Sequence, residues 1–326
     1  MLELDALLRR MQEGWSWPQR AHSYVVVNRW QSRTAMLYRC RGEGGEPDVV
    51  LKVVQNSSDD EARGEAEAME RVDHVLATSG RTAVRVVPVL GWDDTPPSVC
   101  TRHIEGTDIF FMFKNLDHPA WGQTQWSYED VVTECGRALG AYHAAEDPAS
   151  SQSPTAAGAA ETGFIAAARA VRLSERLAKQ MEARVAIAPR YGDFGPHQFR
   201  LSERGDLYLL DTPVMGLPAP VHGDIAAFVF GLEKILGDAT RGGRRRRRRL
   251  MPGLREAFYA GYAGAGPIDP GTPENRSVIG FYFGRAALGI TRKRLRQGRL
   301  LAALRHGAQW GGQVVAARRL RPRFRG

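Results

Sequence analysis

The stretch Tyr191-Gly192-Asp193-Phe194-Gly195-Pro196-His197-Gln198, followed by Leu207-Tyr208-Leu209-Leu210-Asp211, decides how this chain is read. It sets one carboxylate on a tight, glycine-bearing loop and a carboxamide five residues on. Gly192 and Gly195 are expected to give that loop backbone angles a side chain forbids. A second carboxylate, Asp211, closes an apolar run. That run reads as a strand, and Ser202-Glu203-Arg204-Gly205-Asp206 reads as its hairpin turn. Two acids and an amide gathered by a hairpin can hold a divalent cation and orient a hydroxyl group. Phosphoryl transfer needs both.

N-terminal to this hairpin, residues 22–105 are rich in strand formers. Tyr24–Val27, Ala35–Arg39 and Val49–Val54 are predicted strands, with a turn over Gly42–Asp48. Asp59–Leu76 is charged and carries Ala62, Ala66, Met69 and Val72 at helical spacing, with Ser57 and Ser58 as N-caps. Val84–Leu90 and Ser98–Ile104 return to strand character. The expected order is three strands, a helix and two strands. From about 125 the chain reads as helical, over Tyr128–Ala145, Phe164–Val185, Asp224–Leu236, Leu250–Ala263 and Arg276–Thr291. Asp147–Ala160, rich in Ser, Ala, Pro and Gly, reads as a flexible insert.

The chain has 326 residues, enough for a two-lobed unit, and a formal net charge of +9. Its three cysteines, Cys40, Cys100 and Cys135, have no CxxC spacing, which argues against a disulfide framework and a zinc site and for a reducing, cytoplasmic setting. Leu2–Trp15 has the spacing of an amphipathic helix rather than the apolar core of a targeting peptide. No apolar run approaches the roughly 20 residues that a membrane span requires. Arg244–Arg249 is an unbroken arginine run, and Arg292–Arg325 is strongly basic. Both read first as solvated surface. With no zinc-finger spacing and no aromatic RNP-type strand, nucleic acid is not an expected partner.

Six segments, in order, resemble the aminoglycoside phosphotransferase and choline kinase-like branch of the protein-kinase-like superfamily. Val50-Leu51-Lys52 resembles the strand that carries the ATP-binding lysine, and Arg63–Met69 the helix that carries its Glu partner. Leu139-Gly140-Ala141-Tyr142-His143 resembles a recurring helix end. Tyr191-Gly192-Asp193 with Gln198 resembles the His-Gly-Asp-x-x-x-x-Asn loop. Leu209-Leu210-Asp211 resembles the strand that ends in the metal-binding Asp, and Gly223-Asp224-Ile225-Ala226 the Asp-Leu-Ala segment. The resemblance covers roughly residues 22–265 and implies an α+β, bilobal protein-kinase-like fold. A small β-rich N-lobe with one helix would join a larger, mostly helical C-lobe. The expected division is an N-terminal amphipathic helix at 1–21, an N-lobe with the nucleotide-binding sheet at 22–105, a C-lobe at 106–291 with the catalytic hairpin 191–211, and a basic tail at 292–326.

By this resemblance Asp193 is the catalytic carboxylate, orienting or accepting the proton of the attacking hydroxyl. Lys52 pairs with ATP phosphates and Glu65 holds it, with Glu61 as second choice one turn away. Adenine is expected against Cys100–Ile104, with Thr101 and His103 near its edge. Asp211 and Gln198 are the Mg²⁺ ligands. Gln198 replaces Asn, which moves the carboxamide oxygen on the order of 1.5 Å, while Mg²⁺ requires oxygens at about 2.0–2.1 Å. Tyr191 replaces His and keeps one donor. Asn28–Ala35, which would cover the phosphates, has no glycine. It offers Ser32 and Thr34 and reads equally well as a plain hairpin turn. Asp224 is expected to be structural, as an N-cap or a brace for the Asp193 loop. His143 is expected to satisfy backbone groups in the core, and His197 to be a hydrogen-bonding neighbour.

The implied activity is ATP- and Mg²⁺-dependent transfer of a γ-phosphate to a hydroxyl of a small molecule. That molecule is a sugar, a glycan or lipid head group, a nucleoside-type metabolite or an antibiotic. The alternative is a weak or inactive kinase-like binding protein. The arginine-rich C-lobe argues for a neutral or anionic acceptor rather than a cationic aminoglycoside. Phe110, Phe111, Phe113, Trp121 and Trp126 line either an acceptor pocket or the core. The basic tail, with Leu295, Leu300, Leu301, Leu304 and Trp310, suits contact with an anionic membrane.

Overall fold

The computed structural model describes residues 4–14, 23–32, 35–43, 48–55, 61–145, 186–211, 219–237 and 241–299. The expected helix Phe164–Val185, the Asp147–Ala160 insert, Ser57, Ser58, Thr34 and the tail beyond residue 299 lie outside them.

The N-terminal half is a five-stranded antiparallel sheet. Its strands are β1 (Tyr24–Gln31), β2 (Ala35–Gly42), β3 (Val49–Val54), β5 (Val89–Asp94) and β6 (Pro97–Arg102), in the order β1-β2-β3-β6-β5. β3 sits in the middle, paired on both sides (Lys52 with Leu37 and with Val99). Because strand side chains alternate, Leu51 and Val53 join Cys40, Leu90 and Cys100 on one face. Helix α1 (Leu4–Gly14) lays Leu7, Leu8 and Met11 there. Val50, Lys52, Val99 and Thr101 occupy the other face. Helix α2 (Glu61–Ser79) packs there, with Ala62 and Ala66 against Val99.

Two expectations need adjusting. β1 runs on to Gln31, so residues 28–31 are strand, and Ser32 reaches across to the start of β2. The Ala35 N–H donates to Ser32 Oγ at 2.9 Å. The predicted strand Val84–Leu90 is two strands in different sheets. β4 (Arg85–Val86) runs parallel to the hairpin strand β10 (Leu207–Leu209), whereas β5 pairs with β6. With β7 (Gly106–Asp108) and β9 (Phe199–Ser202), β4 and β10 form a four-stranded sheet, β4-β10-β9-β7, that joins the hairpin to the segment following β6. Strands of two or three residues are too short to show a period in sequence.

The C-terminal half is helical. It contains α3 (Ile109–Lys114), α4 (Ala120–Gln123), α5 (Tyr128–Ala144), α6 (His222–Gly237), α7 (Arg241–Ala263) and α8 (Pro273–Arg296), plus a short pair, β8 (Ile187–Ala188) with β11 (Ala219–Pro220). α5 starts on a capping box, with Ser127 Oγ accepting from Asp130 N–H and Asp130 from Ser127 N–H. α5 and α7 pack so closely that a Cβ on Gly261 would overlap the Thr133 carbonyl. α7 begins nine residues before the predicted Leu250 and passes through Pro252. The arginine run therefore lies in helix rather than loop, as arginine's high helix propensity favours. α8 crosses the expected boundary between 291 and 292.

The aromatic segment is core. Phe113 is buried and stacks edge-on against Trp121, which stacks on Tyr128. Trp126 Nε1–H donates to the Gly205 carbonyl at 2.7 Å. Phe111 stays exposed. No helix among the described residues is long and apolar enough to cross a membrane.

Glu233 on α6 carries a stability prediction. Burial pushes its carboxyl up to about 7 against the opposing pull of Arg255. The folded value lies above the unfolded one, so the native state holds this proton more tightly. The associated stability is full at acid pH and is lost as pH rises through about 7. Glu233→Gln is therefore expected to stabilise the protein by about 2–3 kcal/mol at alkaline pH and to change little in acid. Urea unfolding across that range tests it; an equal effect at all pH values would refute it.

Candidate active site

β3 presents Lys52 on the face covered by α2. There its Nζ lies 2.7 Å from Glu65 Oε1 and 3.4 Å from Asp211 Oδ1. Glu61, one turn earlier, begins α2 on its exposed side, so Glu65 is the partner. One ammonium thus ties the sheet, the helix and the end of the hairpin together. Burial works against the ammonium, but Asp211 and Glu65 outweigh it and hold Lys52 above the ordinary lysine value. It stays charged, and it can exchange part of this contact for phosphate oxygens.

The hairpin sets the second half of the site. β9 and β10 pair Phe199 with Leu209. One step further, the Leu210 N–H donates to the Gln198 carbonyl at 2.7 Å. Gln198 therefore ends the Asp193 loop directly opposite the residue before Asp211. Gly192 has φ +93°, a conformation open to glycine at little cost. Gly195 differs from expectation. Its φ of −150° suits any residue, and a Cβ there would meet, at 2.8 Å, only the ring of the exposed His197, which can turn aside, so the position does not demand glycine.

Tyr191 is buried and braces the loop, the role its position has in the resemblance, through an acceptor no sequence pattern showed. Its hydroxyl donates to the backbone carbonyl of Asp211 at 2.5 Å. Burial, then the nearby charge of Asp211, drives the phenol far above its usual range, so it remains a donor. The two acids are thus anchored to one residue, Asp193 through two peptide links and Asp211 through this bond. Tyr191→Phe is expected to cost about 1–2 kcal/mol, because the replacement leaves a carbonyl short of its donor. Denaturant unfolding tests this, and a cost near zero would contradict it.

Asp224 is fully engaged in bracing. Its Oδ2 accepts from Tyr191 N–H at 2.7 Å and its Oδ1 from Gly192 N–H at 3.0 Å, with His143 Nε2 at 3.3 Å. α6 starts at His222, so Asp224 sits in its first turn and is not an N-cap. His143 reaches side chains rather than backbone groups, with Nδ1 2.8 Å from Tyr262 Oη. Asp193 itself projects outward with 72% of its side chain exposed, and His197 Nε2 lies 3.4 Å from its Oδ2.

Thr101 shares the Lys52 face, and its hydroxyl lies 3.5 Å from the Val50 carbonyl. His103 does not offer its N–H to a ligand, because that group donates to the Asp48 carbonyl at 2.8 Å. The His103 ring is buried, and burial with Arg39 alongside holds it below the usual histidine range. Asp48, His103 and Glu105 place ligand atoms within 4.8 Å of one another. Arg39 already fills that cluster, bonding Asp48 at 2.9 and 2.7 Å and also Glu105. Arg200 of β9 donates to Asp108 at 2.7 Å and to the Ile104 carbonyl at 3.1 Å, fastening the segment between the lobes.

A divalent cation has oxygen donors at the hairpin, namely the Asp211 carboxylate and the Gln198 carboxamide. That donor chemistry suits Mg²⁺. Asp211 keeps 42% of its side chain exposed, while Gln198 is buried at 6%.

No protein-family model and no curated protein matches the sequence. Solved structures do match. A spectinomycin phosphotransferase in complex with ADP and spectinomycin is 13% identical, with a TM-score of 0.51 over 97% of this chain and 96% of that one. A choline kinase from Cryptosporidium parvum Iowa II is 9% identical, with a TM-score of 0.51 over 94% and 95%. An aminoglycoside phosphotransferase from Alicyclobacillus acidocaldarius is 11% identical, with a TM-score of 0.50 over 91% and 92%. With its five-stranded sheet, the helix α2 that sets Glu65 against Lys52, and a helical second lobe, the chain has the bilobal protein-kinase-like fold in the form shared by aminoglycoside phosphotransferases and choline kinases.

Proposed function

We propose that this protein is an ATP- and Mg²⁺-dependent phosphotransferase that moves the γ-phosphoryl group of ATP to a hydroxyl of a small molecule. The observation that carries this reading is the Lys52–Glu65–Asp211 contact beside the braced Asp193 loop. Among the matched structures, one holds ADP with spectinomycin, which supports a nucleotide in this cleft. The proposed division is an N-lobe at 22–105 and a C-lobe at 106–291, with α1 in the 1–21 segment and α8 running on to Arg296 past the second boundary.

Lys52 binds and neutralises phosphate oxygens, and Glu65 fixes its position. The acceptor oxygen attacks the γ-phosphorus while the bond from that phosphorus to the ADP oxygen breaks. Asp193 orients the acceptor hydroxyl and takes its proton. Positioning and charge neutralisation lower this barrier more than base strength does. Asp211 and Gln198 would hold Mg²⁺, which when bound supplies charge neutralisation at the phosphates. Thr101, on the Lys52 face, lies towards the nucleotide base. With the His103 N–H committed to Asp48, the base edge pairs with other backbone groups of that segment.

The acceptor we favour is neutral or anionic: a sugar, a glycan or lipid head group, or a nucleoside-type metabolite. The buried, unbridged cysteines support a cytoplasmic setting. The basic tail from 292 would touch an anionic membrane. Co-sedimentation with vesicles tests that contact, and binding indifferent to anionic lipid would end it.

The deciding experiment is ATP turnover against a panel of hydroxyl compounds. Lys52→Met is expected to raise the KM for ATP by about tenfold or more through loss of a charge-assisted contact. The buried, lengthened Gln198 favours a second reading, a kinase-like binding protein without turnover. Nucleotide binding with no transfer to any compound of the panel would establish that reading.

A further inference from the structure

A cavity of about 150 Å³ lies between α6, α7 and α8, walled by Val229, Glu233, Arg255, Tyr259, Arg276 and Phe283. At roughly 30 Å³ per water it has room for about five waters or one tetrahedral ion. It is not part of the nucleotide cleft. Gly231 on α6 faces the catalytic loop, where a Cβ would meet Pro196 at 3.1 Å. Glu233, two residues on, is turned roughly 200° around the helix and looks the opposite way.

The lining sets two arginines among apolar side chains. Arg255 Nε is buried and has no hydrogen-bond partner among the described residues, and it lies 3.5 Å from Glu256 Oε1. Arg276 is held in place, with Nε donating to the Gly271 carbonyl at 2.8 Å, Nη2 pairing with the same Glu256, and its guanidinium 5.7 Å from the Tyr259 ring centre. Both guanidiniums contact the one carboxylate of Glu256, so while the second carboxyl of the wall, Glu233, is protonated the wall carries a net positive charge. An orphaned buried N–H is costly, and a ligand oxygen would satisfy it.

We propose that this cavity is a binding site for a phosphate-sized oxyanion, held by Arg255 and Arg276 and closed by Glu233. Protonated Glu233 donates a hydrogen bond to the ion; ionised, it repels it. Arg255 and Tyr259 from α7 and Arg276 from α8 face Glu233, with Glu256 behind the arginines. Burial sends the Tyr259 phenol up to about 12. Among these groups Glu233 alone changes charge near neutrality, so anion binding takes up a proton and weakens as pH rises through about 7.

The test is thermal unfolding of the full chain as sulfate replaces chloride at constant ionic strength, at about pH 6 and about pH 8. The expected result is a rise in Tm at the lower pH, with an apparent affinity up to about tenfold weaker at the higher. Arg255→Gln and Arg276→Gln should each lose the rise. Lys52→Met should keep it, which separates this site from the cleft. Glu233→Gln, close in shape and safe for folding, should make the rise equal at both pH values. No rise in the parent protein, a rise that survives both arginine changes or disappears with Lys52→Met, or pH dependence that persists in Glu233→Gln would each overturn the proposal.

Discussion

Asp193→Ala is expected to lower kcat on the order of 10³–10⁴-fold, with little change in nucleotide affinity or stability. The stability part follows from exposure. The side chain is 72% exposed, and its close neighbour is the exposed His197 at 3.4 Å. Its removal opens no cavity and strands no buried donor, so the cost should stay within about 0.5 kcal/mol. The loop keeps its shape, because the hydrogen bonds that set it come from the Tyr191 and Gly192 amides to Asp224. The kinetic part follows from its role. A group that aims a hydroxyl and takes its proton acts in the transition state and not in nucleotide binding. Asp193→Asn should fall nearly as far, since the amide preserves shape but not proton acceptance. His197→Ala tests whether the neighbour at 3.4 Å takes the proton instead, with a loss below about tenfold expected if Asp193 is the base. Steady-state rates with an acceptor found in the turnover panel, and calorimetric nucleotide affinities, read both halves. A kcat for Asp193→Ala within tenfold of the parent would remove Asp193 from the chemistry.

How much of this was legible in the sequence depended on whether a contact leaves a local pattern. The hairpin at 191–211 was legible because three local signals coincide: glycine before Asp193, turn residues over 202–206, and an apolar run ending at Asp211. Lys52 was legible as a strand residue, but one helical turn separates Glu61 from Glu65, and only the way α2 lies on the sheet selects Glu65. A brace at Asp224 was legible as one of two structural roles, though its partners were not. Tyr191 could be read as a remaining donor, yet its acceptor is a backbone carbonyl, which carries no residue signature. The Arg39–Asp48–Glu105 and Arg200–Asp108 pairs were invisible for a related reason. They join surface-type residues as far as 92 positions apart, and nothing in the local pattern distinguishes them from solvated charges. The same limit explains β4 and β7, whose pairing is decided by where the lobes meet. The anion cavity needs three helices to bring Glu233, Arg255 and Arg276 together, and each residue alone resembles an exposed helix charge.

Asp224→Ala is expected to destabilise the protein by about 3–5 kcal/mol and to lower kcat as well, although Asp224 touches no substrate. The carboxylate is 4% exposed and accepts from the Tyr191 and Gly192 amides while lying 3.3 Å from His143 Nε2. Alanine leaves both amides in the interior without an acceptor, and buried donors carry their desolvation cost in full. The damage then moves along the chain in a definite order. Gly192 holds φ +93° with its N–H tied to Asp224 Oδ1. Without that tie the peptide is free to turn, and Asp193, the next residue, loses its aim. A displacement of about 1 Å at a reacting group can cost on the order of 10²-fold. Asp224→Asn offers the finer test. It keeps volume and one acceptor oxygen but turns an NH₂ towards a donor, so it should fall between the parent and Asp224→Ala in both readouts. Denaturant unfolding gives the first readout and the split of kcat from KM gives the second. The expected signature is a fall in kcat with the KM for ATP held within about threefold, since Lys52, Glu65 and Asp211 meet through contacts that do not involve Asp224. A variant as stable as the parent, or one that loses ATP affinity while keeping kcat, would show that the loop is held by something other than this carboxylate.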